Sequence, residues 1–454
     1  MGVDDKQNDE VEAFLAANPD VGHLDAFIVD LSGNAIGKRY QRDAIREVWC
    51  NGSSLCAAMQ LTDVNGECWD VMGLGFSDGD PDWPARPVPG TLAVVPWAPE
   101  PRAQCLMRVF EPDGDTPLWF DPRTVLEGVC TRFEDLSLQP VVAIELEFYL
   151  TDKKRDDGRP QPPISPVTGV RTGQGKVFGI EELEAFGSVI GAMERACKTQ
   201  GLPVTTICTE YGPGQFEINL HHVANPVMAA DHAALMRRAV RETARAEGFD
   251  ATFMSKPYGE LAGSGLQINL SVTDAAGTNI FDPTTVAGEA GLGHAIAGVQ
   301  ATFAESMAVF APNFNAYRRF APNQFTPVNL DWGENNRSVA LRIPASDPAN
   351  RRLEHRAAGA EANPYLVTAA VLAGVHHGLA NKLEPTAIAA GNRSEHVDDD
   401  LPRTIWAALD RFEQGAIVKD YLSPRYVEAY AGAKRAEFGA FLAEILPREY
   451  DWYL

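Results

Sequence analysis

The chain has 454 residues, 45% of them hydrophobic, and this composition predicts a globular protein of two or more domains rather than a disordered one. Its 62 acidic residues against 39 Lys and Arg give a net charge of -23, which disfavours a general role on nucleic acid or on an anionic membrane. Solubility is the simple explanation of such acidity, although a pool of carboxylates also supplies ligands for divalent metals.

Cysteine usage and the N-terminus indicate the compartment. Seven cysteines are scattered along the chain without a CxxC pair, and their odd number predicts reduced thiols. The first residues, MGVDDKQNDEVEAFL, lack the apolar segment of a secretory signal, and no stretch reaches the ~18 apolar residues that span a membrane. We therefore expect a cytoplasmic protein without a membrane anchor.

The first part of the chain predicts a helix and a small sheet. Residues 8–18 are amphipathic, and LDAFIVDLSGNAIGKRY predicts two strands around a Ser-Gly-Asn turn. A proline-rich region at 79–101 and the segment MRVFEP lead into EPDGDTP, a turn-rich linker. We place a domain boundary at this linker, which divides the chain into an N-terminal helix at 1–20, a first domain at 21–116 and a second domain at 117–454.

The second part mixes strands with long helices. The predicted elements are, in chain order, a helix near 122–135, the strand VVAIELEFYL at 141–150, a polar surface loop TDKKRDDGRPQPPISPVTG, a helix at 181–200, strands in TTICTEYGPGQFEINLHH, a helix at 226–247, strands in ATFMSKP and LQINLSV, and helices at 284–310, 363–384, 402–413 and 424–445. This mixture predicts an α+β architecture. GxxxxGK[ST] is absent and GQGKVFG misses GxGxxG by one residue, so the common nucleotide motifs are excluded.

The strand VVAIELEFYL carries two glutamates on one face. Successive side chains of a strand point to opposite faces, so Glu145 and Glu147 lie together while Ile144, Leu146 and Phe148 form the other face. Two carboxylates this close in apolar surroundings repel each other unless one takes up a proton or a cation lies between them. The pattern therefore indicates a metal site.

Three further glutamates strengthen this interpretation. Glu210 and Glu217 flank the Gly-Pro-Gly turn of TEYGPGQFEINL, and Glu354 stands between Arg352 and Arg356 in RRLEHR. Each glutamate alone is most often solvated or salt-bridged. Several carboxylates in one cavity suit hard cations such as Mg²⁺ or Mn²⁺, and a pair of such ions suits the phosphates of a nucleotide.

These segments resemble the type I glutamine synthetases over nearly the whole chain. The matching motifs, in that family's order, are IELEF, EYGPGQFEINL, ATFMSKP, GSG before a strand, NAYRRFAPN, NNRSVALRIP, RRLEHR and EANPYLVTAAVLAG. The resemblance implies a β-grasp domain before a catalytic domain, and a dodecamer of two hexameric rings with active sites between neighbouring subunits. It also implies that ATP phosphorylates the γ-carboxylate of L-glutamate and that an amine then displaces the phosphate.

The resemblance also implies the metal ligands. Glu147, Glu210 and Glu217 match the ligands of one metal, and Glu145 and Glu354 match ligands of the second. The metal expected there is Mg²⁺ or Mn²⁺.

Substrate contacts follow from the same resemblance. Arg319 and Arg356 match positions that clamp the carboxylates of glutamate, and Gly263 matches a position where the backbone approaches that substrate. Arg337 and Arg342 match positions that meet the ATP phosphates. The remaining expected residues of this kind are Asn269 and Ser271 for the nucleotide, and Arg337 and Glu210 for catalysis.

Two departures concern the acceptor. Ammonia-using members carry an Asp before GSS and a Glu in the loop after the YKR-like motif, where this chain has Asn51 and Phe325. A neutral amide and an aromatic ring suit an alkyl amine better than ammonium. FTPVNLDWG and EINLHHVANP also resemble the γ-glutamylpolyamine synthetase branch. We therefore favour ligation of glutamate to an amine such as putrescine, a monoamine or ethanolamine, with ammonia as the alternative.

A third departure lies in GSGLQINLS, where the family usually reads GSGMHVHxS. Gln267 replaces a histidine that ligates the second metal, and Asn269 replaces a histidine near the nucleotide. A glutamine carbonyl coordinates hard cations more weakly, so metal affinity is expected to be lower. The alternative is a degenerate relative that keeps the ring as a structural or regulatory protein, although all five glutamates and four arginines are retained.

Overall fold

The structure, a computed structural model, describes residues 3–454, with side chains from residue 8 onward apart from those of 286, 287 and 289. Its first part contains two helices and a sheet. These elements are α1 Val3–Ala17, β1 His23–Val29, β2 Ala35–Gln41, α2 Ile45–Asn51, β3 Ser53–Cys56, β4 Asp82–Pro87, β5 Ala93–Val94 and β6 Arg102–Val109.

The strands of the first part form one sheet in the order β2-β1-β6-β4-β3, with β5 beside β6. β1 pairs antiparallel with β2 and parallel with β6. The predicted hairpin is confirmed, and Gly33 supplies the positive φ of 80° that its turn needs. The predicted boundary at 116–117 follows this sheet and stays a prediction.

The second part contains a larger sheet and most of the helices. These elements are α3 Pro122–Arg132, β7 Leu138–Asp156, β8 Arg159–Gln161, α4 Ile180–Ala185, α5 Gly187–Thr199, β9 Val204–Thr209, β10 Gln215–Leu220, α6 Pro226–Ala246, β11 Phe249–Thr252, β12 Leu266–Asp274, α7 Val286–Phe310, β13 Trp332–Glu334, β14 Leu341–Ile343, β15 Leu353–His355, α8 Pro364–Asn381, α9 Ile405–Gln414, α10 Ala416–Leu422, α11 Pro424–Ala443 and α12 Pro447–Tyr453.

The larger sheet has the order β13-β14-β15-β12-β7-β10-β9, and β8 and β11 also pair with the long strand β7. Apart from the parallel pair β13–β14, its strands are antiparallel. Ile144, Leu146 and Phe148 are fully buried, as their shared face predicts. Helix α6 packs against β7 and β11, and α7 packs against α8. The expected α+β architecture is confirmed.

Two local predictions are wrong. The polar segment after the glutamate strand is not a loop throughout, because β7 continues to Asp156 and turns back into β8 at Asp157 and Gly158, which both have positive φ. The helix predicted at 181–200 is divided at Phe186. The ring of this residue is fully buried against Phe216 and Phe249, and the backbone leaves helical geometry to place it there.

The cysteines and the apolarity of the helices bear on two expectations from composition. All seven cysteines are free thiols. Among the described residues, no helix combines the length and apolarity needed to cross a membrane.

Candidate active site

Strand pairing places the central glutamates side by side. Glu147 of β7 lies directly opposite Glu217 of β10, and Glu145 lies opposite Asn219 on the same pair of strands. On the other side of β7, Gln267 of β12 is the cross-strand neighbour of Glu145. Since directly opposite residues have Cβ atoms about 5 Å apart, the register alone brings these side chains together on one face of the sheet.

Two more glutamates complete a floor, defined as Glu145, Glu147, Glu210, Glu217 and Glu354. Glu210 follows the end of β9, and its backbone N–H donates to the carbonyl of Gln215 at 2.9 Å. Glu354 belongs to β15, which pairs with β12. All five carboxylates line one cavity of about 680 Å³. The structure therefore gathers the five glutamates that the sequence suggested.

Burial raises the pKa of four carboxylates of the floor, and repulsion between them adds to the shift in three of these. Burial and then repulsion from Glu354 raise the pKa of Glu145 to about 7. Burial and the carboxylate of Glu147 raise the pKa of Glu210 to about 8. Burial raises the pKa of Glu147, and burial with repulsion from Glu145 and Glu147 raises the pKa of Glu217 well above its ordinary value. Cations at this floor would relieve the repulsion.

Two arginines surround the carboxylate of Glu354. Arg342 donates from Nη1 to its carboxylate at 2.7 Å, and Arg356 donates to the other oxygen. Arg342 and Arg356, like Arg319, also line the cavity. These guanidinium groups therefore place positive charge beside the carboxylates.

Amide side chains fill the spaces between the carboxylates. Gln267 donates from Nε2 to Glu147 at 2.8 Å, and Asn269 donates from Nδ2 to Glu145 at 2.9 Å. Arg352 in turn donates to the Asn269 carbonyl oxygen at 2.9 Å. Gln267 and Asn269, the two replacements in GSGLQINLS, thus both contact carboxylates of the floor.

The floor fits divalent cations. Potential ligand atoms of Cys208, Glu210 and Glu217 all lie within 4.8 Å of one another. The carboxylate oxygens of the floor suit hard cations, and burial together with repulsion between the carboxylates raises the pKa of Glu210 and Glu217, a shift that a bound cation would oppose. Sequence reasoning missed Cys208, although it alternates with Glu210 along one strand face and pairs opposite Glu217.

An aromatic pair forms the mouth of the cavity. The rings of Phe325 and Tyr211 have centroids 5.5 Å apart and an interplanar angle of 31°. Both side chains are about half exposed, at 52% and 53%. Arg337 also lines the cavity, is exposed, and forms no hydrogen bond or ion pair with any residue that the structure describes. The mouth therefore offers both apolar surface and a free guanidinium group.

Gln215 was missed by sequence reasoning although it belongs to the quoted GPGQF motif. Its Nε2 donates to the carbonyl of Gly263 at 2.9 Å, and its Oε1 accepts from the N–H of Gly212 at 2.9 Å. A Cβ on Gly263 would lie 2.7 Å from Cγ of Arg319 and 2.8 Å from the carbonyl of Ser255. Only glycine allows this close approach.

Three expected residues lie away from the cavity lining. Asn51 is the exposed last residue of α2 in the first part of the chain. Ser271 lies further along β12, and Asn269 is buried beside Glu145. Within one chain, the structure does not bring Asn51 to the glutamates.

Comparison with known proteins decides the family. Residues 120–453 match the model of the glutamine synthetase catalytic domain. The chain belongs to the glutamine synthetase family. This confirms the resemblance inferred from the motifs and the fold expected from it.

Similar proteins include enzymes named for amine acceptors. The chain is 37% identical to gamma-glutamylputrescine synthetase of Escherichia coli strain K12, with 98% of this chain and 94% of that protein covered. It is 32% identical to glutamate–isopropylamine ligase of Pseudomonas sp, over 81% and 82% of the two chains. The solved structure described as apo GmaS without ligand superposes with a TM-score of 0.82 at 26% identity, covering 96% and 97%.

Proposed function

We propose that this protein is an ATP-dependent carbon–nitrogen ligase that joins the γ-carboxylate of L-glutamate to a primary amine through a γ-glutamyl phosphate. The products are a γ-glutamylamide, ADP and phosphate. Membership of the glutamine synthetase family and the amine ligases among its relatives support this reaction. The acceptors we propose are putrescine, a monoamine or ethanolamine.

One observation carries the preference for an amine over ammonia. Phe325 stands at the cavity mouth, its ring tilted against that of Tyr211, where ammonia-using members are expected to carry a glutamate. A carboxylate there would hold a small cation, whereas two aromatic rings cover methylene groups. Each methylene buried against them contributes up to ~0.8 kcal/mol, a gain that ammonia lacks.

The arginines have donors suited to the two anionic substrates. Arg319 and Arg356 are buried and line the active-site cavity together with Gly263, which supports a role in holding the carboxylates of glutamate. Arg337 and Arg342 line the same cavity, and we propose that they bind the ATP phosphates. Charge neutralisation of a transferring phosphoryl group is a large part of catalysis in such reactions.

We propose that the floor holds Mg²⁺ or Mn²⁺. Glu147, Glu210 and Glu217 would hold one ion, and Glu145, Glu354 and Gln267 the other. Bound cations would neutralise phosphate oxygens and the mutual repulsion of the carboxylates.

The attacking amine must lose a proton. Glu210 lines the cavity beside Tyr211, near the mouth through which an amine would enter. We propose that Glu210, or a water molecule next to it, accepts this proton. Asn51 belongs to the same step only if another subunit supplies it.

The position of Asn51 supports an assembly proposal. It is exposed at the end of α2 and does not line the cavity of its own chain. We propose a dodecamer of two hexameric rings in which α2 of one subunit completes the mouth of the neighbouring active site. Seven free cysteines support the proposal that this assembly works in the cytoplasm.

A coupled assay of ATP hydrolysis tests the reaction. Glutamate and ATP are supplied with ammonium, ethanolamine, isopropylamine, putrescine or spermidine, and reactions without glutamate serve as controls. At least one alkyl amine should give a higher kcat/KM than ammonium at the same pH. An equal or higher value for ammonium would favour glutamine synthesis, and no turnover with any amine would favour the structural or regulatory alternative.

A further inference from the structure

A second cavity lies behind the wall of the active site. It has a volume of about 230 Å³ and lies between the β1–β2 turn and the second part of the chain. Met254 lines this cavity, whereas Lys256 lines the active-site cavity, and the buried Ser255 stands between them. Only this short segment separates the two cavities, and we call the second one the junction cavity. It could hold about seven waters or a small organic anion.

Two arginines of α6 line the junction cavity together. Arg237 and Arg241 are four residues apart and therefore share one face of the helix. The Nη atoms of Arg237 donate to the carbonyls of Ala362 at 3.0 Å and Glu361 at 2.9 Å, and these bonds hold its charged group at the cavity. Two like charges at this spacing destabilise a helix unless something compensates them.

Arg241 has even fewer partners. Across the residues that the structure describes, its guanidinium group forms neither a hydrogen bond nor an ion pair, and it lies 5.2 Å from the ring centroid of Phe253. Burial and the charge of Arg241 lower the pKa of Arg237 to about 9. Arg241 thus keeps donors that no described protein group accepts, and Arg237 adds a second positive charge beside it.

Nearby carboxylates already have other donors. Glu361 accepts from the hydroxyl of Ser255 and, at 3.0 Å, from Nδ2 of Asn313. Lys434 donates to Glu437 at 2.9 Å, so this pair is neutral. The Asp30 carboxylate accepts the N–H of Asn34 at 2.7 Å and the hydroxyl of Thr62 at 3.1 Å. No carboxylate among these is hydrogen-bonded to Arg241.

We propose that the junction cavity binds a small oxyanion, carrying a carboxylate or a phosphate, between Arg237 and Arg241. Guanidinium groups are suited to such ligands because they present parallel donors to two oxygens. The proposed site is separate from the active-site cavity, because the segment at 254–256 lies between the two. The proposed site lies near Ser255. The carbonyl of Ser255 accepts the N–H of Ser264 at 2.8 Å, beside Gly263.

Isothermal titration calorimetry of the full-length protein tests the site, with inorganic phosphate and malonate as separate probes. Arg241→Gln should weaken binding at least tenfold, because it removes a charged hydrogen-bond donor pair. Arg245→Gln is the matched control, since Arg245 lies one turn further along α6 and pairs with Glu242 outside the cavity. Arg337→Gln identifies any binding at the active site.

The outcomes separate the two cavities and the two ligand classes. Binding that is lost in Arg241→Gln and kept in Arg245→Gln and Arg337→Gln supports the proposal, and the tighter probe shows whether carboxylate or phosphate is preferred. Binding lost only in Arg337→Gln, or no binding of either probe by the wild type, overturns it. Should Arg241→Gln fail to fold, Arg241→Lys keeps the charge and should still bind several-fold more weakly. These results do not depend on the ligase reaction.

Discussion

The active-site cavity and the junction cavity share a wall but have opposite electrostatics. The first gathers five glutamates, and burial raises the pKa of Glu145, Glu147, Glu210 and Glu217. The second is lined by Arg237 and Arg241. Burying like charges together costs folding free energy unless a counter-charge is present. This cost is the physical basis of the two proposals, cations in the active-site cavity and an oxyanion in the junction cavity.

The largest expected effect comes from removing a carboxylate of the floor. Glu147→Ala and Glu354→Ala should each lower kcat by on the order of a thousandfold or more, because each removes a ligand of a different proposed metal. Glu181→Ala, at an exposed position, is the control and should keep its activity. The assay is ATP-dependent amide formation, with ring assembly checked by size-exclusion chromatography. Full turnover in either floor variant would break the assignment of the cation site.

The mouth of the active-site cavity gives the next largest effect. Burial of four methylenes against Phe325 corresponds to a preference of roughly a hundredfold for putrescine over ammonium before ordering costs. The double variant Asn51→Asp/Phe325→Glu should shift the kcat/KM ratio toward ammonium, since it adds the two carboxylates that hold a small cation.

Phe325→Leu is the control for the mouth, because it changes the side chain without adding charge. It should still prefer putrescine. A wild-type enzyme that uses ammonium as well as putrescine would contradict the role given to the aromatic pair. A double variant with an unchanged ratio would show that acceptor choice is made elsewhere.

A smaller effect on metal affinity is expected at Gln267, in the proposed cation site. Gln267→His should lower the metal concentration for half-maximal activity roughly tenfold, because imidazole binds the metal more strongly than an amide carbonyl. The measurement is a Mg²⁺ or Mn²⁺ titration at saturating ATP and glutamate. A titration curve that overlays the wild type would show that Gln267 does not contact the metal and serves only to hold Glu147.

The smallest effect concerns Asp30, near the junction cavity. Burial raises the pKa of this carboxyl group to about 6, while hydrogen bonds from Asn34 and Thr62 oppose the shift. Because the pKa of Asp30 is higher in the folded state, its contribution to the stability of the fold is fully present below the unfolded-state pKa near 3.8. This contribution is lost as the pH rises through 6. Asp30→Asn should therefore flatten the fall in melting temperature between about pH 4 and about pH 6 by a few degrees at most.

The exposed Asp20→Asn variant is the control for this measurement. It should follow the wild-type pH profile. If Asp30→Asn also follows the wild-type profile, the carboxylate of Asp30 is already charged at pH 5, and burial does not raise its pKa.

The sequence predicted the floor well because strand alternation is local. Glu145 and Glu147 must share a face wherever their strand lies, and Glu217 follows the same rule. It predicted less well where a single residue changes direction, as at Phe186, whose burial against distant rings divides a helix. The hairpin at Asp157 and Gly158 carried a turn signal that the polar composition obscured.

The sequence by itself determined the family, the fold and the set of five glutamates, because motif order and side-chain periodicity are properties of the chain. Only the tertiary structure decided which partners those residues have. Arg342 reaches Glu354 across neighbouring strands, and Tyr211 meets Phe325 from a distant loop. Arg241 lies against the ring of Phe253 and forms no hydrogen bond or ion pair with any described residue. Such pairings depend on how separate elements pack in space, and no local pattern in the chain records the distance between them.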